Sequence, residues 1–291
     1  VFKKELPGYR LEIIVTDNAS TDHTWRVAQE LASARSNLRA FRFSRNFGYQ
    51  ASIFAGLSLA KGDAVIELDA DLEDPPKVLP EFIRKWEEGY QVAYGVRATR
   101  QAPLLMKVVF SLFYKLLNRL SDLDIPENSG DFRLMDRQVV DILKSLPERN
   151  LYLRGLVSYL GFRQAKVVYE RDSRLIGASK FRLVHYIVLA IDAITAFTKT
   201  PLRLIGLVGI GLFFVSIFLA IYYVVSKILY GTPLPGFTTL IVVTLALHSI
   251  TFIFLGILGE YMSRIFDDSK FRPRIIIAEA TSSGEPYPSV L

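Results

Sequence analysis

Cysteine is absent from this chain. That excludes disulfides and thiolate-bound metals, and it fits a reducing compartment. Charge is absent from two long stretches near the C-terminus. No Asp, Glu, Lys or Arg interrupts Leu204–Ser226, 23 residues, or Gly236–Gly259, 24 residues. Each exceeds the roughly 20 residues that span bilayer hydrocarbon. Two buried core helices would not need such lengths. Tryptophan occurs only as Trp25 and Trp86, and no aromatic-plus-basic nucleic-acid motif is present, so no nucleic-acid partner is expected. No internal repeat or low-complexity tract is evident.

Hydrophobic residues make up 51% of the 291, and the net charge is +6. Part of that positive excess flanks the apolar stretches, which favours anionic lipid headgroups as neighbours. Lys199 and Arg203 precede the pair, and Arg264, Lys270, Arg272 and Arg274 follow it. Only Lys227 lies near the connecting Gly231-Thr232-Pro233-Leu234-Pro235-Gly236, which is short enough to force a hairpin. The positive-inside rule then puts both ends of the pair in the cytoplasm. His248, in mid-span, reads as a neutral histidine hydrogen-bonded between helices, with a functional role as the alternative.

The first 171 residues alternate apolar runs with helical patterns. Strands are expected at Leu11–Val15, Leu38–Phe43, a run ending at Asp69, and Gln91–Val96. Helices are expected from the Ser20-Thr21-Asp22 caps to about Ala34, from Gln50 to Ala60, up to Glu88, and over Leu104–Leu120. This alternation predicts an α/β fold with a doubly wound, mostly parallel sheet. Residues 180–200 differ. Arg182, His185, Asp192 and Lys199 form one narrow polar stripe on an otherwise apolar helix. That suits a helix in the membrane interface, or an amphipathic helix packed on the domain. The expected organisation is a catalytic domain over 1–179, an interfacial helix over 180–200, a membrane hairpin over 201–264 and a cytoplasmic tail over 265–291. The tail from Thr281 on, rich in Ser, Gly and Pro, is expected to be mobile. Residue 1 is Val, and an N-terminal segment is expected to precede it.

Carboxylates mark the expected site. Asp69-Ala70-Asp71-Leu72-Glu73-Asp74-Pro75-Pro76 follows the apolar Ala64–Leu68. In open α/β sheets, ligands bind at the carboxyl ends of strands. Asp69 and Asp71, with Glu73 as a third donor, can hold Mg²⁺ or Mn²⁺ with positions left open for a diphosphate. The plain alternative is a solvated acidic turn. Asp17, at the end of the first visible strand, can accept from the imide N–H of uracil. Its alternative is a helix-capping loop. Arg45 and Asn46, before Gly48, open a helix whose N-terminus could face phosphate. Asp131 could orient or deprotonate an acceptor and Arg133 could pair with its phosphate, or the two could form a structural pair. Arg97, Arg100, Arg154, Lys180 and Arg182 supply cations for lipid headgroups or for one lipid phosphate.

Together these strings resemble the inverting family 2 glycosyltransferases of GT-A (Rossmann-like) fold, and more closely their membrane-anchored polyprenyl-phosphate members. The bactoprenol glucosyltransferases and dolichol-phosphate mannose synthases belong to that group. The matching strings are Thr16–Asp22, Ser44–Gly48, Lys61–Asp63, Asp69–Pro76 and Gly130–Asp136, in family order. The resemblance implies that Asp17 binds the nucleobase. Asp69 takes part in donor binding and, with Asp71, binds the metal and diphosphate. Arg45 and Asn46 join the nucleotide-sugar site. Asp131 and Arg133 lie near the acceptor phosphate. Apart from the resemblance, the residues themselves offer Arg97, Lys180 and Arg182 as candidate acceptor-phosphate ligands. The chain departs from the family in three places. The family's opening strand is absent, Asn18-Ala19 stands where Asp-Gly is usual, and Glu73 stands where Gln is frequent.

The expected reaction is transfer of a hexose, glucose from UDP-glucose, to undecaprenyl phosphate at the cytoplasmic face of the inner (plasma) membrane. GDP-mannose, UDP-GlcNAc or an aminopentose donor is the alternative, and a homo-oligomer is left open. A processive polysaccharide synthase would carry Gln-x-x-Arg-Trp, which is absent. A non-catalytic sugar-nucleotide sensor is at odds with the intact Asp69 and Asp71. A flippase would need more than two spans per chain.

Overall fold

The computed structural model describes residues 2–71, 73–98, 129–149, 151–170, 195, 198–230, 236–281 and 287–291. The expected Leu104–Leu120 helix and nearly all of the expected interfacial helix lie outside them. The chain divides into two compact units, Val1–Ala193 with Phe271–Leu291, and Ile194–Lys270.

In the first unit, α1 (Phe2–Glu5) precedes β1 (Ile13–Asp17), α2 (Thr24–Ala34), β2 (Leu38–Phe43), α3 (Tyr49–Leu59) and β3 (Ala64–Glu67). A 3-10 turn at Pro76–Val78 leads into α4 (Leu79–Glu87) and β4 (Val92–Arg97). Then come β5 (Ser129–Asp136), α5 (Arg137–Ser145), α6 (Leu153–Tyr159) and β6 (Gln164–Tyr169). Strand β7 (Ile277–Thr281) joins from the far end of the chain.

The α/β class stands, but the strand mix differs from expectation. One sheet runs β1-β2-β7 and the other β3-β5-β4-β6. Pairs β1/β2 and β4/β6 are parallel. Pairs β2/β7, β3/β5 and β4/β5 are antiparallel. Alternation along the chain cannot reveal this, because β5 inserts between β3 and β4 and runs against both.

Strand periodicity explains how β5 carries both core and site. Successive side chains point to opposite faces. Phe132 and Leu134 enter a core with Phe82, Ile83, Ala93, Val167 and Tyr169. Phe132 meets Phe82 edge-on with centroids 4.6 Å apart, and Tyr169 at 5.5 Å. Each ring pair contributes about 0.5–1.5 kcal/mol beyond burial. A Cβ on Gly95 would lie 2.6 Å from Tyr169 Cε1, so this aromatic stack requires glycine there. Asp131 and Arg133 occupy the other face of β5. Asp136 ends the strand and caps α5, accepting from Gln138 N at 2.8 Å and from Trp86 Nε1 at 2.7 Å.

The C-terminal tail is not mobile throughout. β7 pairs with β2, Leu291 exchanges two backbone hydrogen bonds with Ile275, and Ile276 bridges Val290. Apolar Ile275 and Ile277 are buried, and this burial outweighs the polar composition of the tail.

The second unit holds α7 (Thr200–Tyr230) and α8 (Phe237–Ser269), longer at both ends than the uncharged runs, apart from Gly236. Both are long and apolar enough to cross a membrane. At 1.5 Å per residue, 31 residues reach about 46 Å, against about 30 Å of hydrocarbon. Tyr261 OH donates to Thr198 O at 2.8 Å. His248 does not bridge the helices through Nδ1, which instead lies 2.8 Å from Thr244 O, one turn back in α8.

Candidate active site

Three elements converge on the first turn of α3. Gly48 precedes that helix at φ 96° and ψ 164°, a conformation essentially reserved for glycine. Its carbonyl accepts from Ser52 N and from Asn18 Nδ2 at 3.1 Å. Asn18 also donates to Asn46 Oδ1 at 3.0 Å and accepts from Phe47 N at 2.9 Å. The loop after β1 is thereby locked to the loop after β2. Arg45 lies over the Phe47 ring at 4.0 Å and donates to Asn46 O. Ala19 sits at φ 58°, left-handed backbone that glycine adopts at lower cost.

Tyr49 and Gln50 then reach two different carboxylates. Tyr49 OH donates to both Asp69 oxygens, at 3.1 and 3.2 Å. Burial, with Asp131, Glu67 and Asp69 nearby, pushes the Tyr49 phenol well above its usual value, so it stays a donor. Gln50 Nε2 stands 3.5 Å from Asp131 Oδ2, and Gln50 Oε1 accepts from Leu153 N at the start of α6. Arg154 follows and grips Asp131 through two bonds, 2.9 and 2.8 Å. Arg133 lies 3.7 Å from Asp131 and donates to Gly130 O at 3.0 Å. Burial works to raise the Asp131 carboxyl, but Arg154 and then Arg133 outweigh it and hold it below the usual range. Burial depresses the Arg133 guanidinium and Asp131 opposes the shift.

Glu67 faces Arg133 directly across the β3/β5 ladder. Burial, then the charges of Asp131 and Asp69, push Glu67 up to about 8. Asp69 is also raised, by burial and by Asp71, Asp131 and Asp74, against the Tyr49 bond. A crowd of carboxylates that raise one another is the condition a divalent cation relieves. Asp69 and Asp71 fit that role. Asp71 Oδ1 accepts from Glu73 N at 3.2 Å. Among the described residues no three His, Cys, Asp or Glu side chains gather as a metal cluster, so Glu73, which is buried, does not complete the expected trio.

Asp17 is 3% exposed and accepts from Ser20 N at 3.2 Å, combining the expected carboxylate with the turn-forming role. Arg42 Nε approaches its other oxygen at 3.4 Å. Arg97, at the end of β4, lies against Tyr169 and beside Gly130, whose carbonyl accepts from Arg133. Lys180 and Arg182 lie outside the described residues. Tyr49, Gln50, Glu67 and the Arg154–Asp131 pair were not anticipated as site groups. A signal existed for Glu67, a lone carboxylate in an apolar strand, and for Tyr49 and Gln50, which follow the flagged Gly48. Arg154 was expected only as a cation for lipid phosphate, and its pairing with Asp131 is made by the fold.

The chain is 40% identical over 273 residues to an uncharacterized glycosyltransferase, YkcC, of Bacillus subtilis (strain 168), covering 92% of this chain and 84% of that protein. The profile of glycosyl transferase family 2 matches residues 1–143. The chain belongs to glycosyltransferase family 2. This glycosyltransferase is also 38% identical to the bactoprenol glucosyl transferase of Shigella phage SfV, over 94% of this chain and 90% of that one. A prophage bactoprenol glucosyl transferase homolog of Escherichia coli (strain K12) is 37% identical, with the same shares covered. The core of this glycosyltransferase, mixed sheets flanked by helices, is of GT-A type.

Proposed function

We propose that this glycosyltransferase moves glucose from UDP-glucose to undecaprenyl phosphate at the cytoplasmic face of the membrane. The observation that carries the reading is the meeting of Asp69, Asp131, Arg133 and Arg154 around the first turn of α3. It places acidic groups suited to a cation–diphosphate beside guanidinium groups suited to a phosphate acceptor. The relatives named as bactoprenol glucosyl transferases support the choice of sugar and lipid.

In this reading Asp17 accepts from the uracil imide N–H. Asp69 and Asp71 hold Mg²⁺ or Mn²⁺, which when bound neutralises charge on the departing diphosphate. The acceptor phosphate oxygen forms a bond to the anomeric carbon while the bond from that carbon to the nucleoside diphosphate breaks, and the electron pair leaves with UDP. Displacement in line inverts the centre. A phosphate monoester is largely anionic near neutral pH and needs no general base. Asp131, kept ionised with both oxygens on Arg154, acts as a positioning group. It sets Arg154 and Arg133 for the lipid phosphate, with Arg97, Lys180 and Arg182 as further candidates. The charge bias around α7 and α8 supports a cytoplasmic setting for the residues that flank the pair, on the side where the nucleotide sugar is made available.

The test is a panel of radiolabelled sugar nucleotides offered to purified protein with polyprenyl phosphate. UDP-glucose is expected to give the largest organic-phase label. A larger yield from GDP-mannose, UDP-GlcNAc or an aminopentose donor would replace glucose and keep the reaction class. No transfer from any donor would contradict the reading.

A further inference from the structure

The strand that follows the apolar helices reaches the nucleotide side of the catalytic unit. Arg42 on β2 and Glu279 on β7 are direct partners in the antiparallel ladder, and the register shifts immediately after Arg42. Such irregularities re-aim side chains beside active sites. Arg42 Nη1 meets Glu279 Oε1 at 3.1 Å. The other Glu279 oxygen accepts from Trp25 Nε1 at 2.9 Å, so the carboxylate plane is held from two sides. The rest of the Arg42 guanidinium turns toward Asp17. Its Nε lies 3.4 Å from Asp17 Oδ2, and its Nη2 donates to Ser20 O at 3.2 Å. Asp17 Oδ2 is buried and makes no hydrogen bond of its own, so its setting depends on Arg42.

We propose that Glu279 is a positioning residue of the donor site. It fixes Arg42, which in turn sets the Asp17 carboxylate that reads uracil, so β7 completes a nucleotide site otherwise built from the first strands. The inference rests on the donor reading of Asp17 above. Its chemistry is specific to the base. A carboxylate accepts the uracil imide N–H, whereas cytosine presents a ring nitrogen acceptor at that position and gains nothing from Asp17. An Asp17 free to turn away therefore loses preference between bases, and not merely affinity. Arg42 and Glu279 are each partly exposed, so the effect is moderate.

The experiment is titration calorimetry of UDP and CDP, with Mg²⁺, into the full chain in detergent. The proteins are the unaltered chain, Glu279→Gln and Thr281→Val. Glu279→Gln keeps shape and an acceptor for Trp25 but removes the carboxylate charge that faces Arg42. Thr281→Val disturbs the same strand, whose Thr281 Oγ1 accepts from Ala40 N at 3.1 Å, without touching Glu279. The expected result is a rise of about 3- to 10-fold in the UDP Kd of Glu279→Gln. CDP should change less than about twofold, and Thr281→Val should match the unaltered chain for both. Unchanged UDP binding in Glu279→Gln overturns the inference. So does equal weakening of UDP and CDP, or a Thr281→Val that behaves like Glu279→Gln, since either outcome reports strand docking alone. An unaltered chain that does not prefer UDP to CDP overturns the reading of Asp17 itself, and the inference with it.

Discussion

Replacing Arg154 with Met tests the electrostatic centre of the site. Met keeps part of the apolar stem and removes the guanidinium. Asp131, with its side chain 6% exposed, would keep only Arg133 at 3.7 Å and Gln50 at 3.5 Å. Breaking a buried ion pair from one side costs about 3–5 kcal/mol. Arg154 is 23% exposed and Arg133 remains, so about 2–3 kcal/mol is expected here. For a unit of this size that is a drop in Tm of about 4–12 °C. Both tryptophans, Trp25 and Trp86, lie in the catalytic unit, so tryptophan fluorescence in detergent follows that unit alone. The pH dependence has a definite sign. Asp131 is held below the ordinary value of 3.8. It therefore contributes stability that is present above 3.8 and is lost as pH falls through its lower folded value. The gap between Arg154→Met and the unaltered chain should be full at pH 7 and close on acidification below 3.8. A Tm change under about 1 °C at pH 7, or a gap that persists in acid, would show that Arg154 does not hold the Asp131 carboxylate.

Three further outcomes follow from the same structure. Ala19→Gly should stabilise the catalytic unit by about 0.5–1 kcal/mol, because left-handed backbone costs alanine about 1–2 kcal/mol and glycine's chain entropy returns part of that. A lower Tm by fluorescence would count against it. Asp71→Asn should lower turnover at least about a hundredfold, and EDTA should abolish transfer until Mg²⁺ or Mn²⁺ is restored; full activity in excess EDTA would sink the metal assignment. A reporter fused after Leu291 should read out as cytoplasmic, and a periplasmic signal would reverse the orientation drawn from the charges around the two spans.

Local chemistry made some of this readable in the sequence and left some hidden. The acidic turn after β3 was legible as a place where carboxylates gather, and Asp69 is held there by Tyr49. The two long apolar helices were legible because uncharged length is itself the signal. Asp17 was legible only as one of two roles, and the structure shows its carboxylate both turning the loop to Ser20 and sitting buried beside Arg42. The direction of β5 was not legible, because pairing between β3 and β4 is a long-range choice that leaves no periodicity in the strand itself. The partner of Arg154 was hidden for the same reason. Arg154 was readable as a cation for lipid phosphate, but Asp131 is reached only through the fold, and nothing in Leu153-Arg154-Gly155 marks that pairing. The tail misled by composition: Pro, Ser and Gly after Thr281 outnumber the few apolar residues that dock it.

The proposed reaction is inverting transfer of glucose to a lipid phosphate at the site around α3. The most direct measurement incubates purified protein with UDP-glucose and undecaprenyl phosphate and reads the anomeric configuration of the lipid product by NMR. Asp131→Asn runs beside it as the control that loosens Arg154. The expected product is a β-linked glucosyl phosphate from the α-linked donor, with yield falling at least about tenfold in Asp131→Asn. An α-linked product, or no lipid-linked glucose from protein that is folded by fluorescence, would contradict it.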